Sequence, residues 1–204
     1  MSNRRCFGVL MALFVVLFAV LAVSPREPAT WAMENAVAVL FVIGLWATRR
    51  WFRFSRSAYL MMFSFLALHE IGAHYTYSHV PYDQTVHTLF GFSPDVVMGW
   101  QRNQYDRFLH LLYGVLLVLP LSELCREWGG LRRVAAALFA FSLILASSLL
   151  YELIEWGAAV ALGDGSTAFL GTQGDPWDAQ KDMALATVGA LASLVIAALA
   201  RRIR

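Results

Sequence analysis

The stretch Val-Ala-Ala-Ala-Leu-Phe-Ala-Phe-Ser-Leu-Ile-Leu-Ala-Ser-Ser-Leu-Leu-Tyr-Glu-Leu-Ile-Glu-Trp-Gly-Ala-Ala-Val-Ala-Leu, residues 134–162, decides the fold. It carries no charge before Glu152, and a helix crosses a bilayer with roughly 20 mostly apolar residues. Five more stretches of this kind occupy residues 7–23, 31–47, 58–75, 108–124 and 183–200. The second, with Glu34 and Asn35 near its start, is the weakest on composition. The reading is an all-α polytopic membrane protein, a single integral domain over residues 1–204 with six transmembrane helices.

Composition agrees. Of 204 residues, 59% are hydrophobic and 15% are charged, whereas soluble domains run at roughly 45–50% apolar and about 25% charged. A net charge of +2 and a mean hydropathy of +0.57 also exclude a disordered chain. Cys6 and Cys125 lack C-x-x-C spacing and read as free thiols. Arg4 and Arg5 resemble a twin-arginine export signal, but the apolar run over 7–23 exceeds the roughly 7–15 residues of a signal core. Pro25 also sits where cleavage would fall, so an uncleaved first anchor is expected.

Cytoplasmic loops are enriched in Lys and Arg. With the N-terminus inside, Arg4, Arg5, Arg49, Arg50, Arg53, Arg56, Arg126, Arg132, Arg133, Arg201, Arg202 and Arg204 all face the cytoplasm, twelve of the 16 basic residues. Both termini are therefore expected to be cytoplasmic. The carboxylates and histidines divide the other way: of 14 acidic residues only Glu123 and Glu127 lie inside, and all five histidines lie toward the outer face.

The outer ends of the last four spans carry ionisable residues at helical spacing. The third ends His69-Glu70-Ile71-Gly72-Ala73-His74, and the fourth opens Asp106-Arg107-Phe108-Leu109-His110. The fifth carries Tyr151-Glu152-Leu153-Ile154-Glu155, and the sixth opens Asp175-Pro176-Trp177-Asp178, with Asp182 four residues on. Residues three or four apart share a helix face. The third and fourth spans, and the fifth and sixth, read as two hairpins of parallel sense, a weak internal repeat. A charge at the centre of a spanning helix costs about 2.5–3.5 kcal/mol on insertion scales and usually marks function.

A divalent ion (Zn, Mn or Mg) held by carboxylate oxygen and imidazole nitrogen is the expected cofactor, with His69, His74, Asp106, His110, Asp178 and Asp182 as candidate ligands. Without cysteine ligands the expected form is open or dinuclear rather than a closed structural zinc site. Glu70, Glu152 and Glu155 are the candidate catalytic bases. Plainer roles stand beside these: His69 or His74 as interhelical hydrogen-bonding groups, Glu152 and Glu155 as polar glue, and Asp175, Asp178 and Asp182 as partners of a helix N-terminus. His79 and His87 read as surface residues, and Trp100, Trp156 and Trp177 as an interfacial belt.

Residues 78–105 are too long for a turn and suggest a short interfacial segment capping the site. The glycine-rich loop at 163–174 offers backbone groups to a ligand but lacks a Walker A pattern. No nucleic acid is expected as a partner.

His-Tyr-Thr-Tyr-x-x-Val-Pro at 74–81, Asn-x-Tyr-Asp-Arg at 103–107 with His110, Tyr-Glu-x-x-Glu-Trp at 151–156 and Phe-Leu-Gly-Thr-Gln-Gly-Asp-x-Trp-Asp at 169–178 with Asp182 resemble the YjdF-type bacterial inner-membrane proteins. The resemblance runs over about residues 58–190 and implies a multi-pass protein of the bacterial inner membrane, with no particular reaction. A fainter similarity reaches the VanZ-like proteins at Asp106 with His110, Glu152 with Glu155 and Asp178 with Asp182; Glu155 stands where that pattern has glutamine. From the ionisable cluster itself, the class expected if the protein is an enzyme is metal-assisted hydrolysis or transfer on an envelope or lipid-linked substrate. The alternatives are an ion- or proton-coupled transporter and a non-catalytic assembly partner.

Overall fold

The computed structural model describes residues 2–162 and 172–202. Among them are eight helices and no strand: α1 (Asn3–Leu21), α2 (Pro28–Thr48), α3 (Arg56–His74), α4 (Tyr82–Phe90), α5 (Pro94–Met98), α6 (Tyr105–Glu127), α7 (Arg133–Leu162) and α8 (Asp178–Arg202). Each of the six apolar stretches forms one long helix. Local chemistry sets several of the helix ends. The Ser2 and Ser55 side chains accept from the Arg5 and Ala58 backbone N–H groups, and Pro28 opens α2, a position where its missing N–H costs nothing. Glu123 of α6 accepts from both the backbone N–H (2.5 Å) and the hydroxyl (2.6 Å) of Ser55, tying the start of α3 to the end of α6.

Five helices, α1, α2, α6, α7 and α8, are long and apolar enough to cross a membrane. Helix α3 has 19 residues but is not among the five, because its last turns carry His69, Glu70 and His74. The segment read as an interfacial cap is the helix pair α4 and α5, turned by Gly91 and Gly99 at φ +79° and +67°, a conformation glycine adopts without strain. It exposes Leu89, Phe90, Phe92, Val96, Val97 and Met98.

Helix α6 is the hub, packing on α3, α7 and α8, while α1 and α2 pack on α3. The tightest crossing joins α6 to α8, one helix from each of the two hairpins. A Cβ on Gly114 would lie 2.0 Å from the Ala186 carbonyl oxygen, and one on Gly189 would lie 2.2 Å from that of Leu111. Backbone touches backbone there, as small residues permit between membrane helices. Beside the crossing, Val118, Ala140, Ile144, Ala186 and Ala190 are fully buried. Val16, Val20, Leu40, Val195 and Ile196 face outward.

A methyl group at the crossing must push two backbones apart. Gly114→Ala is expected to destabilise the protein by about 1–3 kcal/mol, roughly 2–10 °C in Tm for a chain of this size, in a detergent melt. Gly44→Ala and Gly157→Ala, where nothing lies within 4 Å of the added carbon, should hold Tm or raise it.

Candidate functional site

The faces that meet at the glycine crossing also carry the ionisable residues. Asp106 and His110 lie two turns and one turn before Gly114 on α6, and Asp182 lies two turns before Gly189 on α8. Close backbone contact at the glycines therefore brings those side chains together one to two turns away. One ligand atom from each of Asp106, His110 and Asp182 lies within 4.8 Å of the other two. His110 Nε2 is 3.6 Å from Asp106 Oδ1 and 3.7 Å from Oε1 of Glu152, contributed by α7. Glu152 and Asp182 are buried, and Glu152 Oε1 and Asp182 Oδ1 have no hydrogen-bond partner among the described residues. Glu155, one turn beyond Glu152, lines the same cavity as Asp106 and His110.

An arginine pair holds the rim. Arg102 grips Asp178 with Nη1 to Oδ1 at 2.5 Å and Nη2 to Oδ2 at 3.1 Å, and Arg107 Nη2 reaches Asp175 Oδ2 at 2.5 Å and Asp178 Oδ1 at 3.0 Å. Asp178, a candidate ligand, is thus buried in ion pairs. Arg102 also donates to the Thr172 carbonyl at 3.1 Å, and Asn103 and Gln173 exchange hydrogen bonds at 3.0 and 3.1 Å. These contacts clamp the start of α6 to the approach of α8. Of the glycine-rich loop, residues 163–171 lie outside the described residues.

Asp175 sits at the edge of this network, outside the helices. A hydrogen bond from Lys181 at 2.5 Å, the Trp177 backbone N–H and the Arg107 guanidinium hold its carboxyl well below the ordinary aspartate range. Nearby, burial and the hydrogen bond to Asp95 push the Tyr82 hydroxyl up to about 12, so it keeps its proton and donates at 2.5 Å.

Helix α3 contributes less than its sequence suggests. After His74 the chain turns through Thr76 and Tyr77 at φ +56° and +51°, which folds the Tyr77 ring over Gly72, where a Cβ would meet it at 2.6 Å. The Tyr77 hydroxyl then reaches His69 Nδ1 at 2.6 Å. Left-handed non-glycine residues cost about 1–3 kcal/mol each, and His69 is positioned by that turn. His74 Nδ1 instead bonds the Leu21 carbonyl oxygen at 2.8 Å, tying α3 to the end of α1. Glu70 is fully buried, and among the described residues neither of its oxygens has a hydrogen-bond partner. His79 and His87 are exposed. Trp100, Trp156 and Trp177 are exposed as well.

The structure therefore gathers Asp106, His110, Glu152 and Asp182, with Glu155 beside them, and leaves Glu70 and His74 elsewhere. Sequence reasoning missed one member of this end of the bundle, Glu34 of α2, which accepts from the Tyr151 hydroxyl of α7. The signal was available, since a glutamate inside an apolar stretch marks a polar partner. A cavity of about 590 Å³ opens from this end, bounded there by Glu34, His69, Asp106, His110, Tyr151 and Glu155 and apolar beyond them.

Five apolar helices of spanning length around a buried histidine and carboxylate cluster define a multi-pass α-helical membrane protein with a polar site at one end of its bundle. The chain belongs to the family described as Predicted membrane protein (DUF2238), whose profile matches residues 7–203. It is similar to the inner membrane protein YjdF of Escherichia coli (strain K12), with 36% identity over 177 residues, covering 86% of this chain and 81% of that protein. No solved structure matches the chain. A multi-pass location in the bacterial inner membrane, as the sequence motifs imply, agrees with this family and this relative.

Because its folded midpoint is depressed, Asp175 adds stability that is fully present above the ordinary value of about 3.9 and is lost progressively as pH falls from there through the lower folded midpoint. Carboxyl carbon NMR should find Asp175 still ionised at pH 3.9. In Lys181→Met the midpoint should rise toward 3.9, and acid unfolding should begin at higher pH.

Proposed function

We propose that this protein is a metal-dependent membrane enzyme that hydrolyses or transfers a group on an envelope or lipid-linked substrate. The observation that carries the reading is the convergence of Asp106, His110 and Asp182, with Glu152 behind them, from three helices. Two carboxylate oxygens and one imidazole nitrogen suit Zn, Mn or Mg. Donor atoms around such an ion sit roughly 3–4 Å apart, so small rotamer changes would close the 4.8 Å set around one. Glu152 Oε1 and Asp182 Oδ1, buried with no hydrogen-bond partner among the described residues, are the kind of groups that a cation relieves. Arg102 and Arg107 are engaged by Asp175 and Asp178. When bound, the ion would polarise a phosphoryl or acyl oxygen and lower the pKa of a water ligand.

In this reading Asp106, His110 and Asp182 are the ligands. Glu152 or Glu155 takes the proton from the attacking water or hydroxyl. Asp178, gripped by two arginines, fixes α8 rather than binding the ion. His69, held by Tyr77, faces the cavity and would donate to the substrate's head group. His74 and Glu70 are outside the reaction. A transporter needs polar groups through the whole depth of the bundle, and the cavity beyond Tyr113 and Ser147 is lined by Phe41, Leu45, Leu117, Leu121 and Leu124, which favours chemistry at one end.

The same reading makes α3 a sixth span, with both termini cytoplasmic. Helices α4 and α5 then lie in the outer interface with their exposed apolar residues in the headgroup layer. Single cysteines labelled from outside intact cells test this: Gln84→Cys should label, and Arg50→Cys and Glu127→Cys should not.

Metal analysis of protein purified without chelators should give close to one Zn, Mn or Mg per chain. His110→Ala and Asp182→Ala should lose it, and Glu70→Gln and His74→Ala should retain it. Less than about one tenth of an ion per wild-type chain after incubation with each metal at neutral pH would overturn the reading.

A further inference from the structure

Beyond its polar end the cavity continues along most of α6, past Tyr113, Leu117 and Leu121 to Leu124. From Asp106 to Leu124 a helix rises roughly 27 Å at 1.5 Å per residue, close to the ~30 Å of hydrocarbon in a bilayer. Val37, Phe41, Leu45 and Thr48 line the facing side of α2 at a spacing that keeps one helix face turned inward. The Tyr113 hydroxyl and Ser147 Oγ bond each other at 2.5 Å, and apart from the Ser148 hydroxyl, which has no hydrogen-bond partner among the described residues, the wall beyond them is mostly apolar.

The side walls meet at the polar end, where the Tyr151 hydroxyl donates to Glu34. Away from that bridge α2 packs on α3, while α7 packs on α6 and α8. Val37, which lines the cavity, is 44% exposed. The cavity is thus a slot bridged at one end by Glu34 and Tyr151 and open sideways at hydrocarbon depth. Its shape selects the occupant. A cavity of about 590 Å³ drawn out over roughly 27 Å of α6 is long and narrow, the form of an extended alkyl chain rather than of a compact ligand. Water is disfavoured in an apolar cavity, and an empty slot would forfeit the contacts of its whole lining.

We propose that the slot holds one alkyl chain of a membrane lipid, inserted sideways between α2 and α7, with the head group at Asp106, His110 and Glu155 beneath the Glu34–Tyr151 bridge. This deepens the enzymatic reading above and rests on it for what happens at the head group; the seating of the chain stands on the slot itself. The substrate class is then an amphiphile whose reactive bond lies at the junction of head group and chain. Water-soluble envelope fragments are not substrates.

The test uses the full-length protein in vesicles of phosphatidylethanolamine and phosphatidylglycerol. A fraction of the phosphatidylglycerol carries a diazirine on its acyl chain, and labelled residues are mapped after illumination. Label on Phe41, Leu45, Leu117 and Leu121 should exceed that on the outward residues Val16 and Val195 by roughly tenfold, the ratio that about 1.4 kcal/mol of preference gives. Val37→Trp at the mouth and Leu121→Trp in the wall should each remove most of the slot label, and the wild-type map is decisive by itself if either variant fails to fold. Label that simply follows exposure, or crosslinks from these residues to a second copy of the chain, overturns the proposal. Asp182→Asn, which leaves the slot lining untouched, separates the two readings. Slot label with no metal in the wild type sinks the enzyme reading and keeps the lipid; metal lost in Asp182→Asn with no slot label does the reverse.

Discussion

The backbone contact between α6 and α8 at Gly114 and Gly189 governs the rest of the molecule. In lipid there is little hydrophobic force between helices, so association depends on close packing and on polar contacts. Glycine at the crossing allows a separation that side chains would forbid. One to two turns from the contact the helices are still close, and the residues there are Asp106, His110 and Asp182. The helix contact and the polar cluster are one device. Helix α7 completes it, packing on both helices and bringing Glu152 to His110.

Charge is then divided by position. At the rim, where α6 and α8 begin, the carboxylates of Asp175 and Asp178 meet Arg102, Arg107 and Lys181 in a dense network. Removing one partner of a buried pair is far more costly than the pair is worth, so this network fixes the relative position of α6 and α8. Deeper, Asp106, Glu152, Glu155 and Asp182 cluster with His110 between them. The arginines hold the frame, and the inner carboxylates keep their oxygens directed at one another and at the imidazole. That excess of acceptors underlies the proposed affinity for a cation, and the slot beside it underlies the proposed affinity for a lipid.

Much of the site was legible. Asp106 with His110, Glu152 with Glu155, and Asp182 stood out because charge is costly in lipid and helical spacing puts such residues on one face. The same rules picked Glu70 and His74, which do not join the cluster. Spacing says that two residues share a face and leaves open which way that face points. His74 meets the carbonyl of Leu21 at the end of α1 instead, and Glu70 is buried outside the cavity lining. Asp178 and Asp182 have identical spacing credentials, yet Asp178 meets two arginines and Asp182 meets His110's cluster. The difference comes from Arg102, in the loop before α6, and Arg107, in the first turn of α6, which the periodicity of α8 does not register. Glu34 was visible as an oddity in an apolar stretch, but its partner Tyr151 lies 117 residues away.

The sequence by itself determined the membrane character, the six long helices and the choice of ionisable residues worth watching, because hydropathy and helical periodicity are properties of neighbours along the chain. Only the tertiary structure decided which helices touch, and hence which of those residues meet. That choice was made by two glycines that let α6 and α8 approach, by a left-handed turn that carries Tyr77 to His69, and by the Glu34–Tyr151 contact that bridges one end of an open slot. Each depends on groups distant in sequence or on backbone geometry, where one-dimensional patterns carry no distance information.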